Sequence, residues 1–266
     1  MEVHHHSHTA PIAIGGKKLK HYLFEFLMLF LAVFAGFLAE NFREHQVEHQ
    51  REKQFASELY DELLADSISV ADKIKLRLDK EKDMDYLRNY FKDSSLTVLP
   101  RDFYPAYTTV MYLVNTYTFE PKDGILSQLK SSGSLRYFKS STLQKLFGDI
   151  SVSINNLRYR NDQEYQFFAS PIKLFDLKYY DFNWMNEIRK RDENATAINL
   201  INEYRNGNTT INAAILNVSS FDRGEATNMI SFYKQMVVST RTLQMNDYIA
   251  VNQKLLEELR QEYDLK

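Results

Sequence analysis

Apolar residues form one unbroken run near the start of the chain, from Tyr22 to Ala39, in which Glu25 is the only charge. As an α-helix the run is about 27 Å long at ~1.5 Å per residue, close to the ~30 Å hydrocarbon core of a bilayer. The pattern therefore predicts a transmembrane helix over residues 21–39, preceded by a tail of residues 1–20.

Beyond residue 39 the hydrophobic pattern takes the period of an amphipathic helix. Residues 40–54 are polar on every side, which indicates a solvated helical stalk. From residue 55 to residue 91, apolar side chains about three or four positions apart predict one packed helix. The stripe consists of Phe55, Leu59, Leu63, Val70, Ile74, Leu78, Tyr86, Leu87, Tyr90 and Phe91.

Two more long helices are predicted nearer the C-terminus. One covers residues 140–170, begins at a Ser140 or Ser141 cap, and is kinked or ended by Pro171. The other covers residues 225–263. Its apolar side consists of Met229, Phe232, Tyr233, Met236, Val237 and Leu243.

Composition favours the same fold class. The 266 residues include only 8 Gly and 5 Pro, too few for the many turns of a sandwich or barrel. The predicted fold is all-α: an N-terminal transmembrane helix continuing into an elongated extracytoplasmic helical bundle over residues 55–266. Gly133 is expected to end a short helix in the left-handed conformation.

Basic residues flank the predicted span on both sides. Lys17, Lys18 and Lys20 lie close before it, unopposed by acids, whereas the three basic residues after it alternate with glutamates. A compact basic cluster before a first span favours a cytoplasmic N-terminus. The alternative is a cleaved signal peptide, with Val33 and Ala35 as small cleavage-site residues. The breaker-free helical sequence that follows favours an uncleaved anchor.

One face of the predicted span carries small and polar residues, which we call the seam: Glu25, Ala32, Gly36 and Ala39. At ~100° per residue the four lie within about a 60° arc. Small residues four apart let two helices approach closely in lipid, and a carboxylate at membrane depth is expected to face protein or water. The alternative is that Glu25 only reaches the interface, paired with His21.

The net charge and the residue types present exclude several kinds of partner and of catalytic site. The net charge is −2 and the part after residue 39 has 30 basic and 33 acidic residues, so nucleic acid is not an expected partner. There is no Cys, and beyond the tail the only histidines are His21, His45 and His49. A Ser-His-Asp site in the bundle is therefore excluded. We expect no catalytic residues, no cofactor and no enzyme activity.

Two histidine patterns suggest metal binding. His45, Glu48 and His49 match H-x-x-E-H, with both histidines on one helix face, but a catalytic zinc also needs a third ligand and a walled cavity. A solvated stalk is the favoured interpretation. The tail residues His4, His5, His6 and His8 form a second cluster without fixed geometry. No metal site is predicted from either.

Three stretches resemble one family. They are Tyr22-Leu-Phe-Glu25 with the exit Glu40-Asn41-Phe42-Arg43-Glu44; Thr118-Phe119-Glu120-Pro121 with the sequence from Leu126 to Leu135; and Leu255 to Tyr263. Together they resemble an abundant family of bitopic proteins from Bacteroidetes bacteria, defined as a domain of unknown function. Phe42 departs from the family pattern, in which Trp is common. The resemblance implies a bacterial inner-membrane anchor and a periplasmic helical domain, and it implies no activity.

Two functions follow as hypotheses. The first is a membrane-anchored interaction or scaffold module that contacts lipid and assembles as a homo-oligomer or with another membrane protein. The second is an extracytoplasmic ligand-binding sensor that signals through a membrane partner, because about 20 inside residues leave no room for an output domain. The aromatic runs Phe167-Phe168 and Tyr179-Tyr180 could line its ligand pocket, although their size favours core packing.

Overall fold

A computed structural model describes the backbone of residues 16–265 and the side chains of residues 19–265. The chain is 81% helical, and no strand occurs in the described range, which confirms the all-α prediction. Two compact units are present, divided between Lys53 and Gln54. Of the predicted His-rich tail, residues 1–15 lie outside the described residues, and residues 16–20 belong to the first helix.

The first unit contains the apolar part of helix α1, which runs from Gly16 to Asp93. It is the one helix of the described chain that is long and apolar enough to cross a membrane, and its most hydrophobic 18-residue window has a mean hydropathy of 2.2. None of that window is buried inside the protein, and its leucines and phenylalanines are exposed. The predicted apolar N-terminal helix is therefore present.

Within the second unit, α1 buries one stripe against the core and ends at Asp93, just before Ser94 and Ser95. Leu59, Leu63 and Leu87 are at most 3% exposed, as the periodicity predicted. Eight further helices follow in the described chain: α2 Phe103–Tyr107, α3 Gly124–Ser131, α4 Ser141–Phe167, α5 Lys173–Tyr179, α6 Phe182–Arg189, α7 Ala197–Asn206, α8 Arg223–Ser239 and α9 Asn246–Tyr263.

Helix ends follow the sequence signals. The Ser140 hydroxyl accepts a hydrogen bond from the Leu143 N–H at 3.3 Å and caps α4, so the predicted serine cap is confirmed. Gly133 has φ +71° after the end of α3, which confirms the left-handed cap. The Asp222 carboxylate caps α8 by accepting from the Glu225 N–H.

Two apolar clusters fill the second unit. One joins α1 to α3, α4 and α9 through leucines and isoleucines, with Phe119, Phe138 and Phe147 among them. The other is rich in aromatic rings and includes Phe91, Phe103, Tyr107, Tyr180 and Trp184. The single Trp of the chain, Trp184, is 1% exposed in that second cluster.

The structure differs from the predicted helices at four residues. Of the two effects predicted for Pro171, the helix end is wrong: Pro171 lies in a π-helical segment, Phe168–Ile172, from which α5 continues. The wider π turn gives a proline ring more room than an α turn, where it meets the carbonyl four residues back. Leu78 is 40% exposed, and Phe232 and Leu243 are 52% and 59% exposed, so none of these three belongs to the core.

Candidate functional site

All four seam residues are exposed on the first unit's part of α1. A Cβ added at Gly36 would meet no atom within 4 Å, so this face is open within the described chain. The Glu25 Oε1 lies 3.1 Å from the His21 Nε2, one turn earlier. That pair has the geometry expected of the interfacial alternative, and it also leaves the seam accessible.

The stalk histidines contact acids on their own helix. The His45 Nδ1 lies 3.8 Å from the Glu48 Oε2, and the His49 Nδ1 lies 3.2 Å from the Glu52 Oε2. Among residues 19–265, no three or more His, Cys, Asp or Glu side chains form a group suited to one metal ion. His4, His5, His6 and His8 precede the described range.

The interior of the second unit contains charged side chains that the hydrophobic pattern did not predict. We call this group the charge layer: Arg77 and Lys80 of α1, Glu164 of α4, Tyr233 of α8, and Thr240 at the start of the π segment Thr240–Met245. Each is at most 5% exposed. Two basic groups and one carboxylate therefore share one buried region.

Arg77 is the basic residue of the charge layer that forms an ion pair. One of its guanidinium nitrogens donates to the Glu164 carboxylate, and another donates to the Tyr117 carbonyl at 3.0 Å. The Thr240 hydroxyl contacts the same Glu164 oxygen. A buried carboxylate with two such partners is well satisfied, which a buried charge requires.

Lys80 has no carboxylate within ion-pair distance in the described chain. Its Nζ donates to the Leu113 carbonyl at 3.2 Å and contacts the Tyr233 hydroxyl at 3.0 Å. The rings of Tyr117 and Tyr233 lie 4.5 and 4.8 Å from the ammonium. Complete burial lowers the pKa of the Lys80 amine from 10.5 to about 7, against the opposing attraction of Glu164.

A second set of polar contacts fixes the backbone from Lys122 to Ile125. The Asp66 carboxylate accepts from the Lys122 N–H at 2.8 Å and from the Tyr248 hydroxyl at 2.7 Å. Glu62, one turn earlier, accepts from the Ile125 N–H at 3.3 Å at the start of α3. Burial raises the pKa of both carboxyls despite these hydrogen bonds. These hydrogen bonds hold the backbone from Lys122 to Ile125 against α1.

The two aromatic runs have different surroundings. Tyr179 and Tyr180 are at most 2% exposed and pack in the aromatic cluster, as expected of core residues. Phe167 is partly buried, with its ring 5.0 Å from that of Phe232. Phe167 and Phe232 both line a surface depression, so one of the four aromatic residues does lie at a pocket.

That depression belongs to a longer groove, which we call the α4 groove. It lies between α4 from Asn156 to Phe167 and the facing stretch from Glu225 to Asp247, and it consists of three adjoining depressions of about 740, 700 and 350 Å³. Adjacent depressions share Tyr159, Arg160 and Gln163, or Phe167, Pro171, Phe232 and Gln235. Residues of the π segments Phe168–Ile172 and Thr240–Met245 contribute to its wall.

The α4 groove touches the charge layer at one point. Arg160 lines two of its depressions, and the Arg160 Nε donates to the Thr240 hydroxyl at 3.3 Å. Thr240 in turn contacts Glu164, the partner of Arg77. A side chain at the surface is therefore two hydrogen bonds away from the buried ion pair.

Sequence periodicity contained a signal for the charge layer that apolar residues alone did not reveal. The inward positions of α1 repeat at alternating intervals of three and four residues, and they include 59, 63, 66, 70, 77, 80, 84, 87 and 91. Asp66, Arg77 and Lys80 occupy three of them. The groove had no sequence signal, because its residues come from distant segments.

No protein family, curated protein or solved structure matches this chain.

Proposed function

We propose that the chain is a membrane-anchored helical interaction module, with its N-terminus in the cytoplasm and its bundle in the periplasm of a bacterium. The observation that carries this proposal is the apolar part of α1, which has a mean hydropathy of 2.2 and no burial within its best window. Such a surface is stable when lipid or another protein covers it. The proposal is non-enzymatic, and membership of the resembled Bacteroidetes family is part of it.

The module is proposed to assemble through its seam, with a second copy or with another membrane protein. The two faces of the helix differ, which supports this choice. Ala32, Gly36 and Ala39 are small, whereas Phe26, Phe30 and Phe34 stack along a different side with ring centroids 6.3 and 5.9 Å apart. Close helix approach is favoured on the small side, and bulky rings suit contact with lipid.

Crosslinking through introduced cysteines in native membranes tests the seam: a disulfide reports a second copy, and a thiol-reactive crosslinker reports a different partner. Because the chain has no Cys, single cysteines at positions 32 and 36 report without background, and cysteines at 30 and 34 are matched controls about half a turn away. We expect crosslinks, to a second copy or to a partner, from 32 and 36 only. In the protein with its single cysteine at position 32, Gly36→Ile should abolish the crosslink, and Glu25→Gln should weaken it less. Equal crosslinking from both pairs would overturn the seam.

The second candidate function is a ligand-binding sensor. The α4 groove favours it specifically, because aromatic and polar side chains line an open surface of the second unit. The span would then transmit the signal to a membrane partner.

A further inference from the structure

Two exposed aromatic rings line the α4 groove. Tyr159 is 67% exposed, and Phe232 is 52% exposed with its ring beside that of the partly buried Phe167. Tyr159 and Phe167 are eight residues apart on α4, about 12 Å along the axis. The groove therefore offers flat rings at two separated places.

The rest of the lining is unusually rich in side-chain amides. Seven Asn or Gln residues line the three depressions: Asn156, Gln163, Gln166, Asn228, Gln235, Gln244 and Asn246. An amide both donates and accepts hydrogen bonds in one plane. The amides of Asn156, Asn228 and Gln235 make no hydrogen bond within the described chain, so they are available to a ligand.

Charge limits the class of ligand. The charged lining residues are one basic residue, Arg160, and three acids, Asp162, Glu225 and Asp247. A net negative lining disfavours nucleic acids, phosphates and acidic polymers. The openness of the groove and its polar surface also disfavour a small apolar ligand, which is normally enclosed.

We propose that the α4 groove binds a neutral oligosaccharide. The C–H face of a sugar ring carries slight positive charge and stacks on the negative face of an aromatic ring. Its hydroxyl groups donate and accept, as the amides do. The two ring positions and the length of the groove suit several linked sugars rather than one. The inference deepens the sensor alternative by naming its ligand class, and it does not depend on the seam.

Saturation-transfer NMR on the full chain tests the proposal. The probes are neutral oligosaccharides of glucose, galactose, mannose and N-acetylglucosamine, added to protein in a zwitterionic detergent, because maltoside or glucoside headgroups would compete. We expect binding, weakened at least about tenfold by Tyr159→Ala and by Phe232→Ala. Tyr165→Ala is the matched control, since Tyr165 is 49% exposed on the same helix but does not line the groove.

Several results would overturn the assignment. They are no binding of any probe, an equal loss with Tyr165→Ala, or a self-association that Tyr159→Ala and Phe232→Ala disrupt. The last would show that the groove is a protein interface. Fluorescence of Trp184, buried in the aromatic cluster, verifies that each variant is folded. The seam crosslinks at 32 and 36 are scored separately, so failure of the glycan proposal leaves the assembly proposal standing.

Discussion

Lys80 is an unusual residue for a core, because a buried ammonium without a carboxylate loses its hydration without ionic compensation. Two hydrogen bonds and two aromatic faces offset part of that loss. Lowering the pKa of an amine from 10.5 to about 7 corresponds to about 5 kcal/mol against its charged form, as an order of magnitude. The residue therefore makes the stability of the bundle depend on pH.

The direction of this pH dependence follows from the pH at which the folded and the unfolded chain each release the Lys80 proton. The unfolded chain keeps the Lys80 proton up to about pH 10.5, and the folded chain releases it near pH 7. Between these values the unfolded state binds more protons, so the free energy of unfolding rises with pH. We expect Lys80→Met to remove this rise and to stabilise the bundle at pH 6 by about 1–4 kcal/mol.

Urea unfolding of the full chain in detergent, followed by Trp184 fluorescence from pH 6 to pH 10, measures this difference. The matched control is Lys82→Met, because the side chain of Lys82 is 78% exposed on the same helix. A Lys80→Met curve parallel to that of the parent protein would contradict the prediction.

Asp176 has the opposite effect on stability. Its carboxyl is 3% exposed in the aromatic cluster, where a contact with the Tyr107 hydroxyl offsets only part of the cost of burying its charge. Burial raises its pKa well above 3.8, so above about pH 4 the folded chain retains a proton that the unfolded chain has lost. Stability should then fall as pH rises from about 4.

We expect Asp176→Asn to abolish that fall in the same urea assay between pH 4 and pH 7. Asp149→Asn serves as the control, because Asp149 is exposed on α4. If the two variants shift the pH profile equally, Asp176 is ionised in the folded state.

At the scale of elements, α1 is the helix that positions most of the polar contacts of the bundle. Its carboxylates Glu62 and Asp66 hold the segment before and at the start of α3, and its basic residues Arg77 and Lys80 enter the charge layer. Each of these side chains accepts or donates to backbone groups of other segments. The helix therefore orients irregular segments as well as packing against other helices.

Removing the Asp66 carboxylate tests this role. Asp66→Ala leaves the Lys122 N–H and the Tyr248 hydroxyl without their acceptor, and each unsatisfied buried donor costs about 1–3 kcal/mol. We expect the free energy of unfolding to fall by about 2–4 kcal/mol. Asp61→Ala, at an exposed position one turn away on α1, should change it by less than about 0.5 kcal/mol. Equal effects would show that the carboxylate does not anchor the segment.

Helix positions were predictable because they depend on local signals. The Ser140 cap, the Gly133 reversal and the Ser94-Ser95 end of α1 each act within a few residues. The exposure of Leu243 was not predictable from its spacing, because it lies in the π segment Thr240–Met245, which shifts the helical phase. Phe232 comes before that segment, and its ring faces Phe167 at the α4 groove rather than the core. The groove and the charge layer depend on contacts between residues up to 160 positions apart, which no local pattern encodes.

At the scale of the whole molecule, the two units have opposite surfaces. The first exposes leucines and phenylalanines along its helix, and the second buries most of its large apolar residues in two clusters. An exposed apolar helix requires lipid or protein around it, whereas the second unit has the interior of a water-soluble domain. In the proposed topology, the flanking charges determine the side of the membrane on which each end lies.

The final prediction is that the N-terminus is cytoplasmic and the anchor is uncleaved. Lys17, Lys18 and Lys20 precede the span, and clusters of basic residues next to a span stay on the cytoplasmic side of the membrane. With single cysteines at Ser7 and Ser57, an impermeant maleimide should label only position 57 in bacteria whose outer membrane is permeabilised. Replacing all three lysines with glutamine should reduce that asymmetry. The intact mass of membrane-extracted protein should retain the tail, and a species that starts near Gly36 would identify a signal peptide instead. Labelling at position 7 alone would reverse the orientation, because the same reagent reaches only the periplasmic side.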